Sequence, residues 1–458
     1  MSISRSDKHK QQKSRRKRRM KRLLILNGVL AGLIIVFAVL LWGNNNGLWN
    51  NGAGRTPEVA ERHNPSNANN HGQADSGNGQ NQNQEEQPPQ DNSSLPDQDD
   101  SVQNPGGLSG DGTDTPLNPE ENSLTPEQQP ASPQYGGQGE VLLAFVGDIL
   151  LAGSVQKKLD EEGFDYPYAK SLSYLADADL TAGNLESPFT TRGTPAEGKQ
   201  FVFKGKPESL PALKEAGFDV VTLANNHTLD MGVEGLLDTM KHLDKAGIPY
   251  VGAGNNDTEA FAPVILESKG IKVAYIGISR VVPNVEWKAE KYRAGVAETY
   301  DTTRAKAAIE RAKQEADLVV VMVHWGVERA DHPENYQRNF AREYIDAGAD
   351  LVIGSHPHVL QGFEQYKGKW IAYSMGNFIF NMTSNEKSAE TGVLDAKCSR
   401  SGDCQMRLHP MKAVASQPAL LEGEEAQALL RRIESISYGV QIDAEGNLSS
   451  RSQRGGLQ

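Results

Sequence analysis

From residue 140 onward, short apolar runs alternate with longer stretches in which apolar residues recur every three or four positions. The runs predict strands over 141–147, 180–183, 220–224, 272–278, 318–323, 351–354 and 370–373. The periodic stretches predict helices over 207–216, 233–246, 302–316, 333–347 and 424–436. Gly217, Gly247 and Gly348 stand where three of these helices should stop, because glycine accepts the left-handed backbone that closes a helix. Tyr366-Lys367-Gly368 predicts a hairpin turn between 359–364 and 370–373. Strands alternating with helices imply an α/β domain whose sheets are largely buried. No internal repeat breaks the pattern.

The chain before residue 140 has a different texture. Residues 23–42 read LLILNGVLAGLIIVFAVLLW, without a charge. A helix of that length, at about 1.5 Å per residue, spans a hydrocarbon layer of about 30 Å, so the run predicts one transmembrane helix. Residues 1–22 hold eleven Lys or Arg against a single acid, Asp7. Next to an apolar span, such a tail reads as the segment retained in the cytoplasm rather than as a nucleic-acid site. A cleaved signal peptide has a shorter core and a small-residue cleavage site, and GNNNGLWNNG after Trp42 is no such site. No lipid-accepting cysteine follows either. The expected localisation is the cell membrane, single-pass, with the N-terminus cytoplasmic and everything after Gly43 extracellular.

Residues 43–139 carry fourteen Asp or Glu against Arg55 and Arg62, with hardly any large apolar side chains. Burial there cannot offset the entropy of ordering, which predicts a disordered acidic linker. The expected organisation is a basic tail (1–22), an anchor (23–42), the linker (43–139), a folded domain (140–436) and a C-terminal tail (437–458). Cys398 and Cys404 are the only cysteines, and outside the cell so close a pair predicts a local disulfide.

Metal-binding side chains recur just after the apolar runs: Asp148, then Asn184 and Glu186, then Asn225, Asn226 and His227, then His324, then His356 and His358. Open α/β sheets place their ligand sites at the carboxyl ends of strands, so these endings converge on one site. Four of the seven histidines from residue 140 onward lie in them; His242 and His409 read as ordinary residues, and His332 stays open. In the extended segment Ser355-His356-Pro357-His358 the two rings fall on one side. Imidazole, carboxylate and amide oxygen together suit Mn, Fe or Zn better than Ca or Cu. The chemistry that fits is hydrolysis with a divalent metal, two ions holding and polarising water and substrate.

In order along the chain, GDILLAG, GNLESP, TLANNHTLDMG, HWGVE, GSHPHVLQG and YSMGNFIF resemble the CapA/PgsA family of capsule and poly-γ-glutamate biosynthesis proteins, over about residues 140–435. That family is similar to the calcineurin-like metallophosphoesterases, which implies layered sheets flanked by helices. Metallophosphoesterases open with Asp-x-His; Asp148 matches, but Leu150 stands where the histidine would be. Asn184 stands where a bridging aspartate would be, and Glu186 is the nearest carboxylate. Asn226 matches an amide ligand, and His227 matches the residue that protonates the leaving group. His324 matches an isolated histidine ligand. His356 and His358 match the Gly-His-x-His pair, although Ser355 intervenes after Gly354. Asn377 belongs to the capsule-family pattern, and with Asn184 and Asn225 it would line the substrate pocket.

The resemblance implies either a metal-dependent hydrolase acting on capsule polymer or a non-catalytic accessory subunit with a structural or vestigial metal site. The partners implied are the membrane, membrane polymer-synthase subunits and an anionic capsule polymer. Such a polymer would be repelled by the folded region, whose net charge from residue 140 onward is about −10, unless metals or a basic strip offset it. Lys199, Lys204 and Lys206 are the candidates for that strip.

Overall fold

The computed structural model describes residues 139–380 and 386–451. The basic tail, the apolar run 23–42 and the linker up to residue 138 lie outside them. No helix among the described residues is long and apolar enough to cross a membrane.

Two sheets carry the domain. The strands used below are β1 (Glu140–Ile149), β2 (Leu180–Leu185), β3 (Phe218–Thr222), β4 (Tyr250–Val251), β5 (Val264–Ser268), β6 (Ile271–Ser279), β7 (Leu318–His324), β8 (Leu351–Ser355), β9 (Phe363–Tyr366), β10 (Lys369–Ala372), β11 (Asn377–Ile379), β12 (Glu390–Ser399), β13 (Cys404–Val414) and β14 (Gln417–Leu420). The first sheet runs β14-β13-β12-β1-β2-β3-β4, with β11 also paired to β1. Strands β1 to β4 are mutually parallel, and β12 to β14 extend the sheet antiparallel. The second runs β9-β10-β8-β7-β6-β5, parallel from β6 through β10 and closed by antiparallel strands at both edges.

Alternation along the strands sets the layers. On β1, Leu143 and Phe145 join a core that also holds Val273 and Tyr275 of β6 and Val320 of β7, so the two sheets face each other. Ala144 and Val146 point the other way, under the helices α1 (Gly153–Glu162), α2 (Leu210–Glu215) and α3 (Gly232–Ala246). Ala274 and Ile276 of β6 likewise face outward, against α4 (Thr303–Glu315) and α5 (Asn335–Asp346). The result is a helix–sheet–sheet–helix sandwich, the expected α/β layering.

Helix ends follow the sequence signals. Gly247 closes α3 with φ +68°. Glu334 and Gln337 form a reciprocal capping box at the start of α5. After α6 (Gly423–Ser435) the chain forms a hairpin, β15 (Val440–Ile442) and β16 (Leu448–Ser450), and Val440 is fully buried. Cys398 and Cys404 are disulfide-bonded and directly opposed across β12 and β13. Cys398 also pairs with Val141 at the start of β1, at the end of the sheet away from Asp148.

Candidate metal centre

The carboxyl ends of β1, β2, β3, β7 and β8 bring the predicted residues together. Asp148 is in register with Asn184 on one side and Asn377 on the other. Ser355, just before His356, is in register with His324. Two glycines allow the close approach. A Cβ on Gly147 would lie 1.8 Å from the carbonyl oxygen of Gly376, and one on Gly354 2.0 Å from that of Tyr373. Their absence lets the Asp148 N–H donate to Gly376 at 2.8 Å.

The polar side chains are buried and interlocked. The Asn184 amide donates to Asp148 Oδ1 at 2.8 Å. Asp148 Oδ2 lies 3.3 Å from His358 Nδ1, which also meets Asn377 Oδ1 at 2.8 Å. Glu186 Oε1 lies 3.7 Å from His324 Nε2 and 3.8 Å from His358 Nε2. His324 Nε2 is 3.0 Å from Asn226 Oδ1, and its Nδ1 is 3.0 Å from Ser355 Oγ. The rings of His324 and His356 are 4.7 Å apart. His356 and His358 hold φ of +98° and +55°, a backbone region that costs non-glycine residues about 1–3 kcal/mol and that gathers at functional sites.

Three overlapping groups have ligand atoms within 4.8 Å of one another: Glu186, His324 and His356; Asp148, Glu186 and His358; and Glu328, His356 and His358. Both oxygens of Glu186 and Nδ1 of His356 are buried without a hydrogen-bond partner among the described residues. Buried polar groups in native proteins are almost always partnered, and a cation coordinated by these atoms would supply the partner. The donor set is imidazole, carboxylate and amide oxygen, as Mn, Fe or Zn prefer. The residues fit a divalent metal.

The electrostatics agree. Burial, reinforced by the Asp148 carboxylate, holds the Glu186 carboxyl well above its ordinary range. Burial pulls His358 down, but Glu186 and Asp148 more than offset it and raise it to about 10. Burial and neighbouring imidazoles push His324 and His356 well below the ordinary histidine range, which keeps them neutral and able to ligate.

His227 sits at the edge of the centre. Its Nδ1 is 2.7 Å from Asp230 Oδ2, and burial lowers its pKa against the pull of Asp230. Asn225 uses its whole amide within the protein: Nδ2 donates to Asn184 Oδ1 and the Leu185 carbonyl, and Oδ1 accepts from the N–H of His227 and the hydroxyl of Thr228. It braces the centre. Leu150 is buried and offers no ligand.

The three lysines do not form a strip. Lys199 turns inward to the Asn226 carbonyl at 2.6 Å and to the Asp230 carboxylate. Lys206 pairs with Asp160 at 2.7 Å, and Lys204 is exposed. His332 is exposed and joins none of the three groups. His242 pairs with Asp238, and His409 with Asp395. Sequence reasoning missed Glu328 and Asp230 as neighbours of the centre. The signal for both was present, since Glu328 ends HWGVE and Asp230 lies in TLANNHTLDMG.

Residues 142–382 match the model of a family described as bacterial capsule synthesis protein PGA_cap. The chain is 35% identical over 247 residues to a Bacillus anthracis protein named capsule biosynthesis protein CapA, covering 53% of this chain and 60% of that one. It is 32% identical over 278 residues to the PGA biosynthesis protein CapA of Bacillus subtilis, covering 60% and 72%. It is 33% identical over 226 residues to a Mycobacterium tuberculosis protein named as a probable polyglutamine synthesis accessory protein, covering 47% and 59%. The matched region thus spans less than two thirds of the first and third of these relatives.

Proposed function

Because this chain belongs to the bacterial capsule synthesis protein family, we propose that it is a membrane-anchored, extracellular, metal-dependent hydrolase acting on an anionic capsule polymer of the poly-γ-glutamate kind during its synthesis or export. The observation that carries the reading is Glu186, a buried carboxylate with both oxygens unpartnered and two histidine Nε2 atoms within 3.8 Å. A group so costly to bury persists only where something compensates it.

Asp148, Glu186, Asn226, His324, His356 and His358 would hold the metal. Two triads that share Glu186 support two neighbouring ions. Bound there, such ions supply a water activated near neutral pH and polarise the bond to be cut. Asp230 fixes Nδ1 of His227, which leaves Nε2 to hand a proton to the leaving group. Asn184, Asn225 and Asn377 orient the ligands around them. The uncharged run at 23–42 supports the anchor, and the accessory name of the mycobacterial relative supports partnership with membrane polymer-synthase subunits.

One observation favours a second reading, an accessory subunit whose metal site does not turn over. Asn184 stands where the metallophosphoesterase pattern has an acid, and its amide donates to Asp148 Oδ1, so it offers no carboxylate to a second ion. The test is hydrolysis by the metal-loaded full chain of poly-γ-glutamate and of a chromogenic phosphodiester. Turnover abolished by His227→Ala at unchanged metal content supports the hydrolase. No turnover of either by the wild type leaves the accessory subunit.

A further inference from the structure

Arg280 follows the last residue of β6, and its N–H donates to the His324 carbonyl at 2.8 Å. It therefore stands on the sheet edge that carries the metal centre. Its guanidinium lies over two rings, 4.3 Å from the centroid of Tyr300 and 5.1 Å from that of Tyr336. Tyr336 is fixed in turn by its hydroxyl, which accepts from the N–H of Gly326 at 2.7 Å, two residues past His324. Lys288 Nζ sits 4.5 Å from the centroid of the same Tyr300 ring. Its neighbour Trp287 lies under Lys199 Nζ at 5.0 Å, the lysine that holds Asn226 and Asp230 on the His227 side. A belt of cations and aromatic rings thus runs from the His324 side of the centre to the His227 side.

Two cations of this belt lack counter-charges. Nearby Arg293 pairs with Glu286 and Glu290, and Arg304 with Asp257, Glu290 and Glu298. Among the described residues, Arg280 and Lys288 have no carboxylate within ion-pair reach, in a chain of net charge −12. Nε of Arg280 is buried without a hydrogen-bond partner. Aromatic faces hold a guanidinium in place without neutralising it. An oxyanion taken by Arg280 would satisfy the guanidinium fork and meet an unneutralised charge.

We propose that Arg280, held between Tyr300 and Tyr336, forms an oxyanion subsite beside the metal centre that takes a carboxylate or phosphate group of the substrate, with Lys288 on the Tyr300 ring adding positive charge nearby. The identity of that substrate as a polyanionic chain rests on the function proposed above; the subsite itself rests on the geometry alone. A polymer with a carboxylate on every residue, lying across the centre, would present a neighbouring carboxylate here.

The test is binding to the metal-loaded full chain by calorimetry, with a γ-linked glutamate oligomer and inorganic phosphate as separate probes. Arg280→Met, Arg280→Lys and Lys288→Met are compared with the wild type, with metal content and melting temperature measured alongside. The expected result is at least a tenfold loss of oligomer affinity in Arg280→Met, a smaller loss in Lys288→Met and partial recovery in Arg280→Lys, all at unchanged metal content. Should Arg280→Met not fold, the other two variants carry the comparison. If the wild type binds only phosphate and the variants lose it, the subsite stands, the anion is a phosphate and the polymer reading falls. Undiminished oligomer binding by the folded variants overturns the subsite and leaves the polymer reading intact. Binding of neither probe by the wild type also overturns the subsite.

Discussion

Glu186 Oε1 lies 3.7 Å from His324 Nε2, and neither oxygen of this buried carboxylate has a hydrogen-bond partner among the described residues. A buried carboxylate without a partner costs stability, and a bound metal would offset that cost. Glu186→Gln should therefore leave the metal-free protein at least as stable as the wild type, because the variant buries no carboxyl. It should also abolish the rise in melting temperature that Mn or Zn is expected to give the wild type. Thermal melts with and without metal check both halves. A metal-free variant that melts well below the metal-free wild type would mean that Glu186 has an ordinary structural role.

Metal binding should be strongly pH-dependent. The carboxylates of Glu186 and Asp148 raise His358 to about 10, and Glu186 itself is raised well above its ordinary range, chiefly by burial. His358 therefore holds its proton in the metal-free protein near neutral pH, and a cation must displace it. The sign follows: affinity rises with pH, by about tenfold per unit for each proton displaced. Calorimetry in buffers of different ionisation enthalpy counts the protons, and binding without proton release would refute the assignment.

His227 and Asp230 form a pair 2.7 Å apart that does not itself need the metal. Asp230→Asn would keep the ring in place but disturb its tautomer. If the centre is hydrolytic, turnover should fall by about 10²–10⁴-fold, with metal content and KM little changed. A parallel loss of metal would place Asp230 in the support of the ligands instead.

The Cys398–Cys404 disulfide staples strands already in register, at the end of β1 opposite Asp148. Loop-closure entropy for so short a ring is worth about 2 kcal/mol. Cys398→Ala with Cys404→Ala should lower the melting temperature by several degrees and leave metal content untouched. A loss of metal would show that strain travels the length of β1.

Much of this was legible because parallel strands buried on both faces read as continuous apolar runs. The runs over 141–147 and 318–323 fall within β1 and β7, and the polar residues that end them, Asp148 and His324, meet at the centre. The antiparallel extension was not legible. Strands β12 and β13 mix Asp395, Lys397, Gln405 and Arg407 with apolar residues, and Pro410 sits inside β13, a residue that argues against a strand inside a sheet. Lys199 was misread as a rim residue because only the tertiary fold shows Asp230 drawing it inward. Arg280 and Tyr300 are twenty positions apart in the chain, with no periodicity to link them.

The central claim is that the strand ends gather a metal. Elemental analysis of the purified full chain, beside a His356→Ala and His358→Ala double variant, tests it most directly. The account predicts about two Mn, Fe or Zn per chain in the wild type and their loss in the variant, with both proteins folded. Absence of metal from both proteins, even after it is supplied, would contradict the account and leave Glu186 buried without a reason.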